Sequence, residues 1–177
     1  GRFSKAIQSA DRLLAERKES SDFLYTKGFV LLTAGRFNEA ITNLKSALDI
    51  NTNNEKTHLY MGVALSLKGE YKKADTFLNN ACLLSPEDIF VYFARIENSL
   101  RAGDKRKVEY FMEKLLGSFE KETILSSLKR LDKNNIIAPL SQKKLTDEIV
   151  RKMQSIADQT AELDYPGSPN LIKGESF

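Results

Sequence analysis

Four glycines in this chain, Gly1, Gly35, Gly69 and Gly103, stand 34 residues apart, although the whole sequence holds only nine. The residues around them keep the same beat. Gly62, Leu65, Tyr71, Ala74, Leu78 and Ala81 become Gly28, Leu31, Phe37, Ala40, Leu44 and Ala47 one period earlier. Phe3, Ala6, Ala10 and Leu13 are in phase before them, and Val108, Met112 and Leu115 after them. A fixed period of this length marks a repeat array, in which each unit is one supersecondary element that cannot bury its apolar face alone. Apolar residues at helical spacing on both sides of each glycine make that element a pair of amphipathic helices. The glycine supplies the left-handed turn residue between them.

In chain order, residues 1–20 read as the second helix of a unit whose first helix is absent, so more repeats are expected upstream. Full units follow at 21–54, 55–88 and 89–122. In the first, one helix is expected over 22–34 and the second over 37–50, with the polar run Asn51 to Asn54 as turn chemistry. Small residues at Gly28, Ala40 and Ala47 let two helices approach, while Leu24, Leu31, Phe37 and Leu44 fill the space between. Ser85, Pro86, Glu87 and Asp88 predict a helix start with Ser85 as N-cap and Pro86 at the first helical position. The third unit drifts: Ile96 stands where Gly28 and Gly62 stood, and Lys105 where Phe37 and Tyr71 stood. Terminal repeats are commonly atypical.

Residues 123–164 are expected to form closing helices. One runs over 120–131 and is broken by Asp132 to Asn135; an apolar connector follows at 136–140. Ser141 then caps a long helix ending near Leu163. Its stripe of Leu145, Ile149, Val150, Met153, Ile156, Ala157 and Ala161 is expected to fold back on Val108, Met112, Leu115, Ile124 and Leu128. The alternative is a homo-oligomer formed through residues 141–163. Residues 165–177 read as a flexible tail.

Several function classes are set aside. A net charge of +3 spread along the chain gives no clustered basic face of the kind nucleic acid requires. One cysteine excludes an intrachain disulfide and a cysteine-based zinc site. No apolar run has the length that spans a bilayer, so no membrane insertion is expected. No phosphate-binding glycine loop, HExxH or GxSxG string occurs. His58 and Cys82 lie on core-facing positions rather than as a nucleophile pair. Acid pairs such as Glu87–Asp88 and Asp147–Glu148 fall in first turns, where the helix dipole accounts for them. No catalytic residue, metal site or cofactor is expected.

The period and the small–small–glycine–aromatic–Ala–Ala order over 21–88 resemble the tetratricopeptide repeat. The resemblance covers residues 1–122. It implies an all-α fold, a right-handed superhelix of antiparallel helix pairs with a C-terminal capping helix, in which first helices line a concave groove. Carried onto this sequence, it places Asp22, Tyr25, Thr26, Phe29, Leu32 and Thr33 in the groove from the first unit. Lys56, Leu59, Tyr60, Val63, Ser66 and Leu67 come from the second. Phe90, Phe93, Ala94, Glu97, Leu100 and Arg101 come from the third. Tyr25, Phe29, Tyr60 and Phe93 are expected to meet a partner, while Leu59, Ala94 and Leu100 serve equally as inter-repeat core. The Lys, Asn and Arg carboxylate clamp of chaperone-binding members is replaced here by Tyr25, Phe29, Tyr60, Phe90 and Ala94. Lys27 and Arg95 at an apolar position, His58 at a bulky one and Thr52 in place of the closing Pro also depart from the pattern.

These readings combine into a non-catalytic scaffold that binds a protein or peptide partner through an apolar, aromatic groove. Two alternatives stand beside it: a bacterial secretion or envelope-assembly chaperone of the same repeat type, and an RNA-binding helical repeat. The strict 34-residue spacing speaks against the second.

Overall fold

The computed structural model describes residues 4–9, 20–134 and 142–163, and every regular element among them is a helix. Residues 4–9 form a helical stretch, α1. Then follow α2 (Ser21–Thr33), α3 (Phe37–Ile50), α4 (Glu55–Leu67), α5 (Tyr71–Leu84), α6 (Ile89–Ala102), α7 (Lys105–Ser118), α8 (Lys121–Asn134) and α9 (Gln142–Leu163). The α2–α3, α4–α5 and α6–α7 pairs are antiparallel hairpins, and each hairpin packs on the next through α3–α4 and α5–α6.

The turn glycines do what the period demands. Gly35, Gly69 and Gly103 take φ of 76°, 81° and 71°, a region that side chains with a Cβ avoid. The turn lets Arg36 N–H reach Leu31 O at 2.9 Å and Glu70 N–H reach Leu65 O at 2.9 Å, so the last carbonyls of α2 and α4 are not left bare. First helices of the units carry side-chain caps. Ser20 Oγ accepts from Phe23 N–H, Asn54 Oδ1 from Thr57 N–H and Asp88 Oδ1 from Phe90 N–H.

That last bond corrects an expectation. The third unit starts at Ile89 with Asp88 as N-cap; Ser85 is not the cap and Pro86 is outside the helix. Ser85, Pro86 and Glu87 instead close a turn, in which Asp88 N–H donates to Ser85 O at 3.2 Å and Tyr92 Oη donates to Pro86 O at 3.1 Å. A carboxylate that is free to accept outcompetes a serine whose hydroxyl is turned to Glu87 Oε1 at 3.0 Å. The polar run at Asp132 also fails to stop α8, which continues through Asn134. The expected connector at 136–140, the Ser141 cap and the 165–177 tail lie outside the described residues.

Within each hairpin the small residues face large ones. A Cβ on Gly28 would sit 2.7 Å from Leu44 Cγ, and one on Gly62 would sit 2.6 Å from Leu78 Cγ. Leu44, Leu78, Ala40, Ala47, Ala74 and Ala81 are all fully buried. In the third hairpin Ile96 and Met112 replace the glycine–leucine pair, and α6 and α7 meet over fewer residues. Polar groups tie the third hairpin to α5 of the second: Asn98 Nδ2 donates to Tyr71 O at 3.1 Å and to Asp75 Oδ1 at 2.8 Å, and Lys107 pairs with Asp75. The cation at the apolar position has a use as well. Arg95 lies over the Phe111 ring, 4.1 Å from its centre. His58 Nε2 meets the backbone carbonyl Thr52 O at 2.8 Å.

α9 packs against α6, α7 and α8. Its Leu145, Ile149 and Met153 join the buried cluster of Met112, Leu115, Ile124 and Leu128, and Lys152 pairs with Glu109 on α7.

Candidate functional site

The first helices of the three units, α2, α4 and α6, contact one another in sequence across the hairpins. A ring cluster joins the first two of these helices. Tyr60 on α4 lies between two rings of α2, with centroids 4.8 Å from Phe29 and 6.0 Å from Tyr25. All three side chains are half-buried, so each presents an edge to solvent. Burial holds the Tyr60 hydroxyl well above the ordinary phenol range, and Tyr25 and Asp88 push the same way. The Tyr25 hydroxyl is raised too, first by burial and then by Glu55. The cluster is therefore neutral, amphipathic and stiff, which suits contact with an apolar segment whose backbone needs a few polar partners.

Further along, Phe90 is half-buried, packs edge-on to Phe93 at 6.0 Å and lies 5.6 Å from the Arg130 guanidinium of α8. Other predicted groove residues take different places. Leu32, Leu59 and Val63 are core, with 3–6% of their surface exposed. Phe93, expected to meet a partner, is fully buried and belongs to the main core. Lys56 is exposed at the start of α4. Glu97 is buried at 5% exposure and accepts from Arg101 Nε at 2.9 Å and Nη2 at 2.7 Å.

A narrow cleft opens beside that pair, lined by Val63, Ser66, Leu67, Ala94, Glu97 and Arg101. The Glu97–Arg101 pairing is visible in the sequence as a four-residue spacing of acid and base on one helix. Arg130 over Phe90 has no such signal, because it depends on how α8 docks.

Elsewhere the chemistry is structural. Cys82 is a free, half-buried thiol, and His58 is held by its bond to a backbone carbonyl. Among the described residues no group of three His, Cys, Asp or Glu is placed to hold a metal ion, and no helix is long and apolar enough to cross a membrane.

A stack of short helix hairpins defines an α-helical repeat scaffold, a class whose stacked units present extended binding surfaces. Residues 31–89, about a third of the chain, match the tetratricopeptide repeat family. No curated protein is significantly similar in sequence. Solved structures share the fold. YrrB, described as a tetratricopeptide repeat protein with an unusual peptide-binding site, superposes with a TM-score of 0.64 at 17% identity, over 73% of this chain and 67% of its own. MamA from Desulfovibrio magneticus RS-1 gives 0.63 at 18% identity, over 88% of each chain. A thermophilic tetratricopeptide repeat protein of Thermus thermophilus gives 0.58 at 20% identity, over 87% of this chain and 92% of its own.

Proposed function

We propose that the protein is a non-catalytic scaffold that holds an apolar or aromatic segment of a partner protein against its concave face. The observation that carries this reading is the Tyr25–Phe29–Tyr60 cluster. Three large rings from two repeat units converge there while keeping open edges. Rings of this kind give large contact area at low entropic cost and are the common anchors of protein interfaces. Burial of apolar surface contributes roughly 25 cal/mol per Å², so a segment covering these edges gains from the patch alone. The description of YrrB as peptide-binding supports the reading by likeness of fold. The packing of α9 on the last hairpin supports its role as the cap that ends the array, which leaves the concave face for a partner.

The test is capture with the tagged protein from its native source, comparing wild type with the Phe29→Ser/Tyr60→Ser double variant. Both sites are half-buried, so helical content by circular dichroism should be retained while partners recovered by the wild type disappear. Recovery of the same partners by the double variant would remove the concave face from the account. An RNA-binding reading is checked in the same material: retention of RNA that falls steeply with salt would favour it.

A further inference from the structure

The cleft between α4 and α6 contains two polar atoms that the fold leaves unanswered. Ser66 Oγ and Glu97 Oε2 are both buried, and neither has a hydrogen-bond partner among the described residues. Their side chains are more than nine-tenths buried, at 6% and 5% exposure. Both residues line the same cleft, with Val63, Leu67 and Ala94 as apolar walls and Arg101 at the rim. An unpaired buried carboxylate oxygen is costly, and native structures tolerate one mainly where something else completes it. The cleft has room for a group about the size of one water, and Leu67 and Arg101, both half-buried, are the more exposed of its lining residues.

We propose that the Ser66–Glu97–Arg101 cleft is a specificity subsite for a neutral carboxamide, the side chain of an asparagine or glutamine on the bound segment. This rests on the concave-face reading above and adds to it the identity of one recognised group. The donor and acceptor pattern selects the chemistry. Glu97 Oε2 can only accept, so the group that answers it must carry an N–H or O–H donor, and a head with two donors can also give one to Ser66 Oγ. Arg101 spends Nε and Nη2 on Glu97 Oε1, which leaves its Nη1 edge to donate to an oxygen of the same head. A carboxamide supplies NH2 inward and C=O outward in one planar head. A lysine or arginine head would meet the Arg101 charge, and a carboxylate would meet Glu97. An apolar head would leave both buried oxygens bare.

Two arms test this. In the first, propionamide, propionate and propylammonium are titrated into isotopically labelled protein and followed by NMR. Propionamide should produce saturable shifts at the Ser66 and Glu97 amides and the Arg101 Nε–H, the two charged analogues should not, and Ser66→Ala and Glu97→Gln should each lose the response. No response to propionamide, as for a cleft filled only by water, an equal response to propionate, or a response unchanged in both variants would overturn the subsite. In the second, a random twelve-residue peptide library is selected on wild type, Glu97→Gln and Phe29→Ser/Tyr60→Ser. The subsite predicts an Asn or Gln preference at a fixed offset from the apolar consensus, present on wild type and lost on Glu97→Gln, with the apolar consensus kept. An apolar consensus without that preference sinks the subsite alone. Absence of any consensus that depends on Phe29 and Tyr60 sinks the groove reading, while the propionamide arm still decides the cleft.

Discussion

Replacing Gly62 by alanine adds one methyl group, and the fold says where it goes. The new Cβ would lie 2.6 Å from both Cγ and Cδ2 of Leu78 and 3.3 Å from Ala74 O. Leu78 is fully buried and Ala74 O is backbone, so neither can step aside without moving α5 against α4. Overpacking costs about 1–3 kcal/mol, and two carbons of a fully buried side chain at 2.6 Å put this site in the upper half, about 2–3 kcal/mol. Alanine in a helix interior returns about 1 kcal/mol relative to glycine. The net expectation is a loss of about 1–2 kcal/mol, which lowers Tm by roughly 2–8 °C for a chain of this size. Urea and thermal unfolding followed by circular dichroism at several wavelengths read it, the second probe guarding against a hairpin that melts alone. Two glycines serve as internal controls. Gly117 in α7 has nothing within 4 Å of its would-be Cβ, so Gly117→Ala should stabilise or be neutral. Gly35 is equally uncrowded but sits at φ 76°, so Gly35→Ala should cost about 1–2 kcal/mol through backbone strain alone. A Gly62→Ala protein as stable as wild type would refute the close-approach argument. So would a Gly62→Ala/Leu78→Ala cycle with no favourable coupling between the two sites.

Three further outcomes follow from the packing and the electrostatics. Ile149→Ala removes a fully buried side chain of α9 from the cluster with Met112 and Ile124, and should cost about 2–5 kcal/mol by urea unfolding. The Tyr60 hydroxyl titrates above its unfolded value, so its contribution to stability is complete below about pH 10 and is lost as pH rises through the folded value. Tyr60→Phe should therefore soften the alkaline loss of stability, and an unchanged alkaline limb would count against the buried hydroxyl. Arg95→Ala should cost about 1 kcal/mol by removing the guanidinium from the Phe111 ring and from Asn79, with Arg95→Lys a poor substitute because ammonium does not stack flat.

Much of the fold is legible in the sequence because it depends on residues with one physical use. Gly35, Gly69 and Gly103 mark positions where the backbone turns left-handed, and Gly28 and Gly62 mark positions where a leucine fills the space of an absent side chain. These demands are local, so a period in the sequence suffices to find them. The start of the third unit is misread from sequence because Ser85 and Asp88 are both good caps, and only the turn that bonds Asp88 N–H to Ser85 O decides between them. The concave face is legible as a set of positions but not as surface. Phe93 and Tyr60 are both large rings on first helices, yet one is fully buried and the other only half-buried. Which of them opens depends on the spacing of α4 and α6, which no single helix encodes. The same spacing buries Glu97 while leaving one of its oxygens unmatched.

The most direct test of the central claim is where a bound segment touches the protein. A peptide selected from the twelve-residue library is titrated into protein labelled at its aromatic rings. The account predicts that the ring resonances of Tyr25, Phe29 and Tyr60 shift together and saturate with one affinity. Shifts confined to Tyr110, an exposed ring of α7, with the Tyr25, Phe29 and Tyr60 signals unmoved, would contradict it.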